Sequence, residues 1–427
     1  MISLPPALLH RDFRRLWVSL VCSGMAMQMA QVAIGWQVYS IHRKAFDLGL
    51  IGLVEFAPVP FLALYAGSLA DRLPRVTILM VVGVAEAAVL ALLLLVTLDG
   101  ARELWQFLAL AALTGAISAL SAPAGRSLVP EIVPSELLTG AIALRSVSGQ
   151  VGTIGGPALG GLLYAIRPEA VYGAGAFLLL ASSAILIPVT RPEALPPAST
   201  QPPRLETLLA GIRFIRATPI ILGAITLDLF AVLFGGAVAL LPLFARSILH
   251  TGPFGLGVLR SMVAVGALIG GIQLARKPLQ RHAGRTLLTV VGLFGVCMIV
   301  FGLSRWFWLS ALALAVSGYV DMFSMNIRST TVALATPNRV LGRVSAVENV
   351  FIGASNELGA FESGAAAALM GAVPAVVAGG ALTIGLVLVW PKVFPDLSHV
   401  DRLSTAGLRK VLPVGGGRPA TAPEPAD

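Results

Sequence analysis

The sequence predicts an all-α membrane protein: twelve transmembrane helices in two six-helix halves, with both termini cytoplasmic. Three observations predict it. Apolar residues make up 56% of the 427-residue chain and charged residues only 12%, about half the ~25% usual in soluble domains. With a mean hydropathy of +0.87, one soluble core cannot hide that much apolar surface, so the solvent is lipid. Twelve stretches reach the ~20 mostly apolar residues that a bilayer-crossing helix needs. Short matches also recur at a constant offset between the two halves.

The predicted spans run near 14–41, 48–70, 76–98, 104–125, 140–165, 169–190, 219–247, 255–275, 286–303, 306–327, 344–370 and 372–394. The first is flanked by Arg11, Arg14 and Arg15. Its apolar run exceeds the ~7–15 residues of a signal-peptide core and no small-residue cleavage site follows, so it reads as a retained helix. Residues 1–190 form the N-terminal half and 219–394 the C-terminal half. Between them, 191–204 is Pro-rich and polar, a linker. Leu205–Ala217 alternates apolar and basic residues at helical spacing, as an interfacial helix would. Together 191–218 is a cytoplasmic connector. Residues 395–427, rich in Gly, Pro and Ala, read as a disordered cytoplasmic tail.

Orientation follows the placement of Lys and Arg. With the N-terminus inside, the outer loops hold only Arg43, Lys44, Arg102, Arg167, Arg246 and Arg305, while Arg145 and Arg260 fall within spans. The remainder, Arg328 among them, are assigned to cytoplasmic segments and the tail. Topology thus accounts for the net charge of +9, leaving nothing to indicate a nucleic-acid partner. Arg outnumbers Lys 26 to 4 in an Ala- and Gly-heavy chain, which points to a GC-rich bacterial genome; the expected location is the bacterial inner membrane.

Gly115 and Gly318, Pro134 and Pro337, and Leu138 and Leu341 are each separated by 203 positions. A shared offset across several helix connections marks a parallel six-helix repeat of the kind secondary transporters carry.

Two motifs are specific. The loop between spans two and three reads Gly67-Ser68-Leu69-Ala70-Asp71-Arg72-Leu73-Pro74-Arg75-Val76. Gly67 lets helices approach closely, Asp71 can accept hydrogen bonds at a helix N-terminus, and Arg72 and Arg75 can pair with carboxylates or phospholipid phosphates. Span five carries Gly152, Gly156, Pro157, Gly160 and Gly161. Its glycines clear side chains where another helix passes, and Pro157 bends the helix. The first motif resembles the loop signature of the major facilitator superfamily, with Pro74 and Val76 departing from it. The second matches that superfamily's antiporter-type helix-five motif at all five fixed positions. The stretches Pro123–Pro134 and Gly342–Gly364 resemble its enterobactin-exporter-like branch.

The resemblance implies a major facilitator fold, alternating access and efflux by antiport. It also implies that the first motif is a cytoplasmic gate, with Asp71 near residues Gly342 to Ser345 of span eleven. Drug–proton antiporters carry an Arg four residues before the span-four glycine. Here that position is Ala111, so that proton-handling role has no carrier.

Ionisable residues inside spans are candidates for function by default. The fold implied by the resemblance lines its cavity with spans one, four, seven and ten, which brings Asp228 and Asp321 to the cavity with Gln28 and Gln31. A carboxyl in a dry cavity can exchange its proton near neutral pH. Asp228 instead merely hydrogen-bonds a neighbouring helix on the alternative view. Glu357 lies at mid-height of span eleven, and Glu86, in span three, reads as structural. Glu55 and Glu362 sit at matched depth across the seam of spans two and eleven, where both cannot stay ionised cheaply. The alternative is that one faces Arg260 and the pair never meet.

The expected function is a proton-coupled secondary exporter of an amphiphilic small molecule, a siderophore or drug-like compound, acting as a monomer in the bilayer. The alternative within transport is an uptake carrier. A membrane-embedded enzyme is remote, because His10, His42, His250, His282 and His399 all fall at span ends, loops or the tail. No metal-ligand spacing and no nucleotide-binding loop is present, so no metal, cofactor or ATP drive is expected.

Overall fold

The computed structural model describes residues 5–62, 69, 73–100, 103–189, 205–279 and 282–398, and among them there is no strand. We number the long helices α1 (Arg11–His42), α2 (Ala45–Phe56, continuing to Leu62), α3 (Arg75–Leu98), α4 (Leu104–Ser127), α5 (Leu138–Ile166) and α6 (Pro168–Leu186). A connector helix, Leu205–Ala217, leads to α7 (Pro219–Gly235), whose path continues through 3-10, α and π turns to Ile248. Then follow α8 (Pro253–Arg276), α9 (Ala283–Leu303), α10 (Phe307–Ala335), α11 (Asn338–Met370) and α12 (Ala372–Val393).

Ten of these are long and apolar enough to cross a membrane. The other two, α5 and α11, are equally long at 29 and 33 residues. They are less apolar because α5 holds seven glycines and α11 five charges, Arg339, Arg343, Glu348, Glu357 and Glu362. Both pack on other helices, α5 on α1 and α8 and α11 on α2 and α7.

The two halves repeat the same contacts. Within the first, α1 packs on α5 and α6, α2 on α4, and α3 on α6; within the second, α7 packs on α11 and α12, α8 on α10, and α9 on α12. Gly115 and Gly318 do the same work in each half. A Cβ on Gly115 would lie 1.8 Å from the Glu55 carbonyl oxygen of α2, and one on Gly318 1.9 Å from the Val263 carbonyl oxygen of α8. Only a glycine admits helices at that separation.

Between the halves, α5 packs on α8 and α2 on α11. Apolar clusters locate the seal. At the face carrying the start of α1 and the end of α12, here the terminal face, each half keeps its own core. One contains Phe13, Leu16, Val76 and Leu186, the other Ile220, Leu287, Val344 and Trp390. At the distal face a single core joins Val32, Trp36 and Ala45 of the first half to Leu240, Phe244, Leu256 and Phe301 of the second. The halves are therefore closed at the distal face.

Two expectations change here. Arg328, assigned to a loop, lies inside α10 and is 4% exposed. The polar run from Asn326 to Thr331 imitates a loop in hydropathy, but the helix continues, with Ile327, Arg328 and Thr331 buried. The connector helix does not merely lie at an interface. A Cβ on its Gly211 would sit 3.0 Å from the Arg343 carbonyl oxygen, and Ile212, Phe214 and Ile215 join the core with Val344 and Val347.

Candidate functional site

Where the halves meet, a cavity of about 150 Å³ opens among α1, α2, α3, α4, α8, α11 and the turns after α7. Its walls are mostly aliphatic, including Ile34, Leu48, Ile51, Leu90 and Val238. Its polar lining is Gln31, Thr114, three carboxyls (Glu55, Glu86 and Glu357) and one guanidinium, Arg260.

Arg260 organises the group. Its Nη2 donates to Gln31 Oε1 at 2.6 Å, a charge-assisted bond from α8 of one half to α1 of the other. The same guanidinium lies within electrostatic reach of both Glu55 and Glu357. Glu357 Oε2 is 2.7 Å from where a Cβ on Gly52 would stand, so the absence of a side chain there leaves the carboxyl its room. Glu86 comes from α3 and is 8% exposed. Its Oε1 accepts a 3.0 Å hydrogen bond from the Ser118 hydroxyl of α4.

The candidates distribute unevenly. Gln31, Glu55 and Glu357 line the cavity. Gln28 lies against Gly156, 2.6 Å from a Cβ placed there, and is packed on α5 instead. Glu362 interacts with Ser363. The α2–α11 seam uses Glu357, Ala360, Phe361 and Gly364, and Glu362, five residues past Glu357, is rotated about 140° from it. Glu55 therefore meets Glu357 and Arg260, and not Glu362. Asp321, on α10, is not among the residues that line this cavity.

Asp228 is buried in an ion pair with Arg328, whose Nε is 3.7 Å from Glu348 Oε1. This triad ties α7, α10 and α11 within one half, outside the cavity. Glu86 is the residue that sequence reasoning missed. Its depth in span three was visible, but nothing in the sequence shows which way its face turns.

The helix-five motif splits between two neighbours. Gly152, Gly156 and Gly160 face α1, where added Cβ atoms would stand 3.0 Å or less from Gly24, Gln28 and Met29. Gly161 and the Pro157 carbonyl face α8. A Cβ on Gly257 would be 2.3 Å from that carbonyl oxygen, and one on Gly161 2.4 Å from the Pro253 carbonyl oxygen. Ser261 adds a 2.7 Å bond to the Ile154 carbonyl across the same seam. Of the loop motif, Arg75 pairs with Glu131 at the end of α4. Gly67, Asp71 and Arg72 lie outside the described residues.

The distal face is latched by α1 against the end of α7. The Tyr39 hydroxyl lies 2.8 Å from that of Ser247, and Arg246 bonds Ser40 and lies 5.7 Å over the Trp36 ring. Among the described residues, no group of three or more His, Cys, Asp or Glu could hold a metal ion.

Two repeated halves, sealed at one face and meeting around a largely aliphatic cavity that holds buried carboxyls and a guanidinium, define a multi-pass membrane transporter. The chain belongs to the transmembrane secretion effector family of the major facilitator superfamily, which matches residues 3–411. Proteins of this superfamily are transporters and not enzymes. Among curated proteins, the enterobactin exporter EntS of Shigella dysenteriae serotype 1 is 27% identical over 403 residues, covering 91% of this chain and 93% of that protein. The EntS of Citrobacter koseri is 27% identical over 395 residues, covering 89% and 91%.

Among solved structures, a bacterial homologue of the human lysosomal transporter Spinster, inward-facing and unoccupied, has a TM-score of 0.70 at 14% identity, covering 96% of this chain and 99% of that one. The nucleoside transporter NupG has a TM-score of 0.67 at 13% identity, covering 90% and 99%. At these identities the likeness concerns the fold.

Proposed function

We propose that this chain is a monomeric, proton-coupled exporter of amphiphilic small molecules, siderophore or drug-like, in the bacterial inner membrane. All twelve long helices cross the bilayer in two six-helix halves, 1–190 and 219–394, and the terminal face is cytoplasmic. The observation that carries this is the interface cavity: aliphatic walls suit an amphiphile, and carboxyls within it can take up and release protons. Export is supported by the helix-five motif and by relatives named for enterobactin export.

Alternating access follows from the seams. Cargo enters while the distal face is sealed as described. The halves then rock on the close α5–α8 and α2–α11 contacts, the Tyr39–Ser247 latch parts, and the cavity opens outward. Protons entering from outside occupy the carboxyls, favour return, and leave inside.

The test compares a deletion strain with its parent and with the complemented strain. Secreted metabolites and drug susceptibilities are measured together. A secreted compound retained inside the deletion strain, or a drug class to which it becomes hypersensitive, supports export. Loss of uptake of a nutrient, with both readouts unchanged, overturns it.

A further inference from the structure

Among the described residues the cavity has an excess of acid, and one of its acids has no cation beside it. Arg260 is already engaged by Gln31 and stands near Glu55 and Glu357. Among the described residues Glu86 has only the Ser118 hydroxyl, and that on one of its two oxygens. It is more than nine-tenths buried yet lines the cavity, so its second oxygen is offered to whatever occupies that space. A carboxylate so enclosed needs a partner to stay ionised, and among the described residues no aromatic ring lines the cavity to share a cation's charge.

Among the described residues, the facing groups can be enumerated by element. Helix α1 contributes Gln31, α2 Glu55, α3 Glu86, α4 only hydroxyls, the turns after α7 only apolar groups, α8 Arg260 and α11 Glu357. Three carboxyls and one guanidinium carry two net negative charges with no protons bound, and one net positive charge with three.

Thermodynamic reciprocity then ties cargo charge to direction. Protons weaken the binding of a cation to this cavity and strengthen the binding of an anion. Under a proton gradient directed inward, a cation is exchanged for protons and leaves the cell, whereas an anion travels with them and enters. We propose that the cargo is a lipophilic organic cation, held by Glu86 and displaced by protons. This inference rests on the export reading above and narrows it, because an anionic cargo at this site would be driven the wrong way.

The test is equilibrium binding to the full-length protein in detergent across a range of pH. The probes are two pairs matched in shape and opposite in charge: tetraphenylphosphonium with tetraphenylborate, and the smaller benzyltrimethylammonium with benzenesulfonate. At least one cation should bind more tightly than its anionic match. Its affinity should fall by up to about tenfold per pH unit on acidification, as exchange for one proton requires. Glu86→Gln should lower cation affinity at high pH by at least about tenfold and flatten that dependence.

Tighter binding of the anions, affinity that rises on acidification, or no binding by either cation overturns the proposal. So does a folded Glu86→Gln protein with unchanged cation affinity; if that variant fails to fold, the wild-type pH profile still decides. Equilibrium binding is blind to direction, so an error in the export reading appears only in vesicle transport.

Discussion

The 2.6 Å bond from Arg260 Nη2 to Gln31 Oε1 joins α8 of one half to α1 of the other in the wall of the cavity. A contact that both spans the interface and touches the titrating groups can convey cavity charge to the relative position of the halves. Gln31→Leu removes a hydrogen bond to a charged group, about 1.5–3 kcal/mol, and should slow transport while leaving it proton-dependent. Arg260→Gln removes the cation facing both Glu55 and Glu357 and should abolish gradient-driven transport. Flux in proteoliposomes distinguishes the two, and equal effects from both variants would contradict this account.

The Asp228–Arg328–Glu348 triad should matter more to stability than to coupling. Arg328→Met strands two buried carboxyls and should cost about 3–5 kcal/mol, read as a large fall in the melting temperature of the purified protein. Asp228→Asn leaves Arg328 with Glu348 and should cost less, about 1–3 kcal/mol, with proton-dependent transport retained. Loss of proton dependence in a stable Asp228→Asn protein would move the coupling site out of the cavity.

At the α5–α8 seam, a Cβ on Gly257 would stand 2.3 Å from the Pro157 carbonyl oxygen. Gly257→Leu should therefore prevent distal closure, at an overpacking cost of about 1–3 kcal/mol, and stop turnover. Gly385→Ala is the control. No atom lies within 4 Å of a Cβ there, and replacing a mid-helix glycine should stabilise by about 0.5–1 kcal/mol. Transport by Gly257→Leu at the wild-type rate would remove this seam from the closing motion.

Tyr39→Phe deletes the hydroxyl that meets Ser247 at the distal face. A loss of about 0.5–1.5 kcal/mol should shift the balance toward the distal-open state by up to about tenfold. Spin labels on Lys44→Cys and Gly252→Cys, at the two distal turns, should report a larger long-distance population in the variant. An unchanged distribution would show that the latch carries no energy.

The helical fold was largely legible because hydropathy reports on the solvent and the repeat offset on topology. Counting residues gives height along one helix but not the register between two, and the α2–α11 register was missed. Rotation about the helix axis was not legible either. Glu86 looked peripheral because span three usually is, yet its face turns inward beneath α4. Asp228 has the expected depth but answers Arg328, which hydropathy had assigned to a loop. Glu362 lies level with Gly49 of α2 and not with Glu55, and it points off the seam that Glu357 occupies. Each difference depends on which neighbour a side chain meets, which a single sequence does not encode locally.

Flux in inside-out membrane vesicles, whose lumen corresponds to the cell exterior, tests the central claim most directly. A cationic probe is supplied outside, the lumen is made acidic, and wild type is compared with the Glu55→Gln, Glu86→Gln, Glu357→Gln triple variant. The account predicts uphill accumulation of the probe in wild-type vesicles, accompanied by proton efflux, abolished by collapsing the pH gradient and absent in the triple variant. Accumulation that survives collapse of the gradient, or that persists in the triple variant, would contradict it.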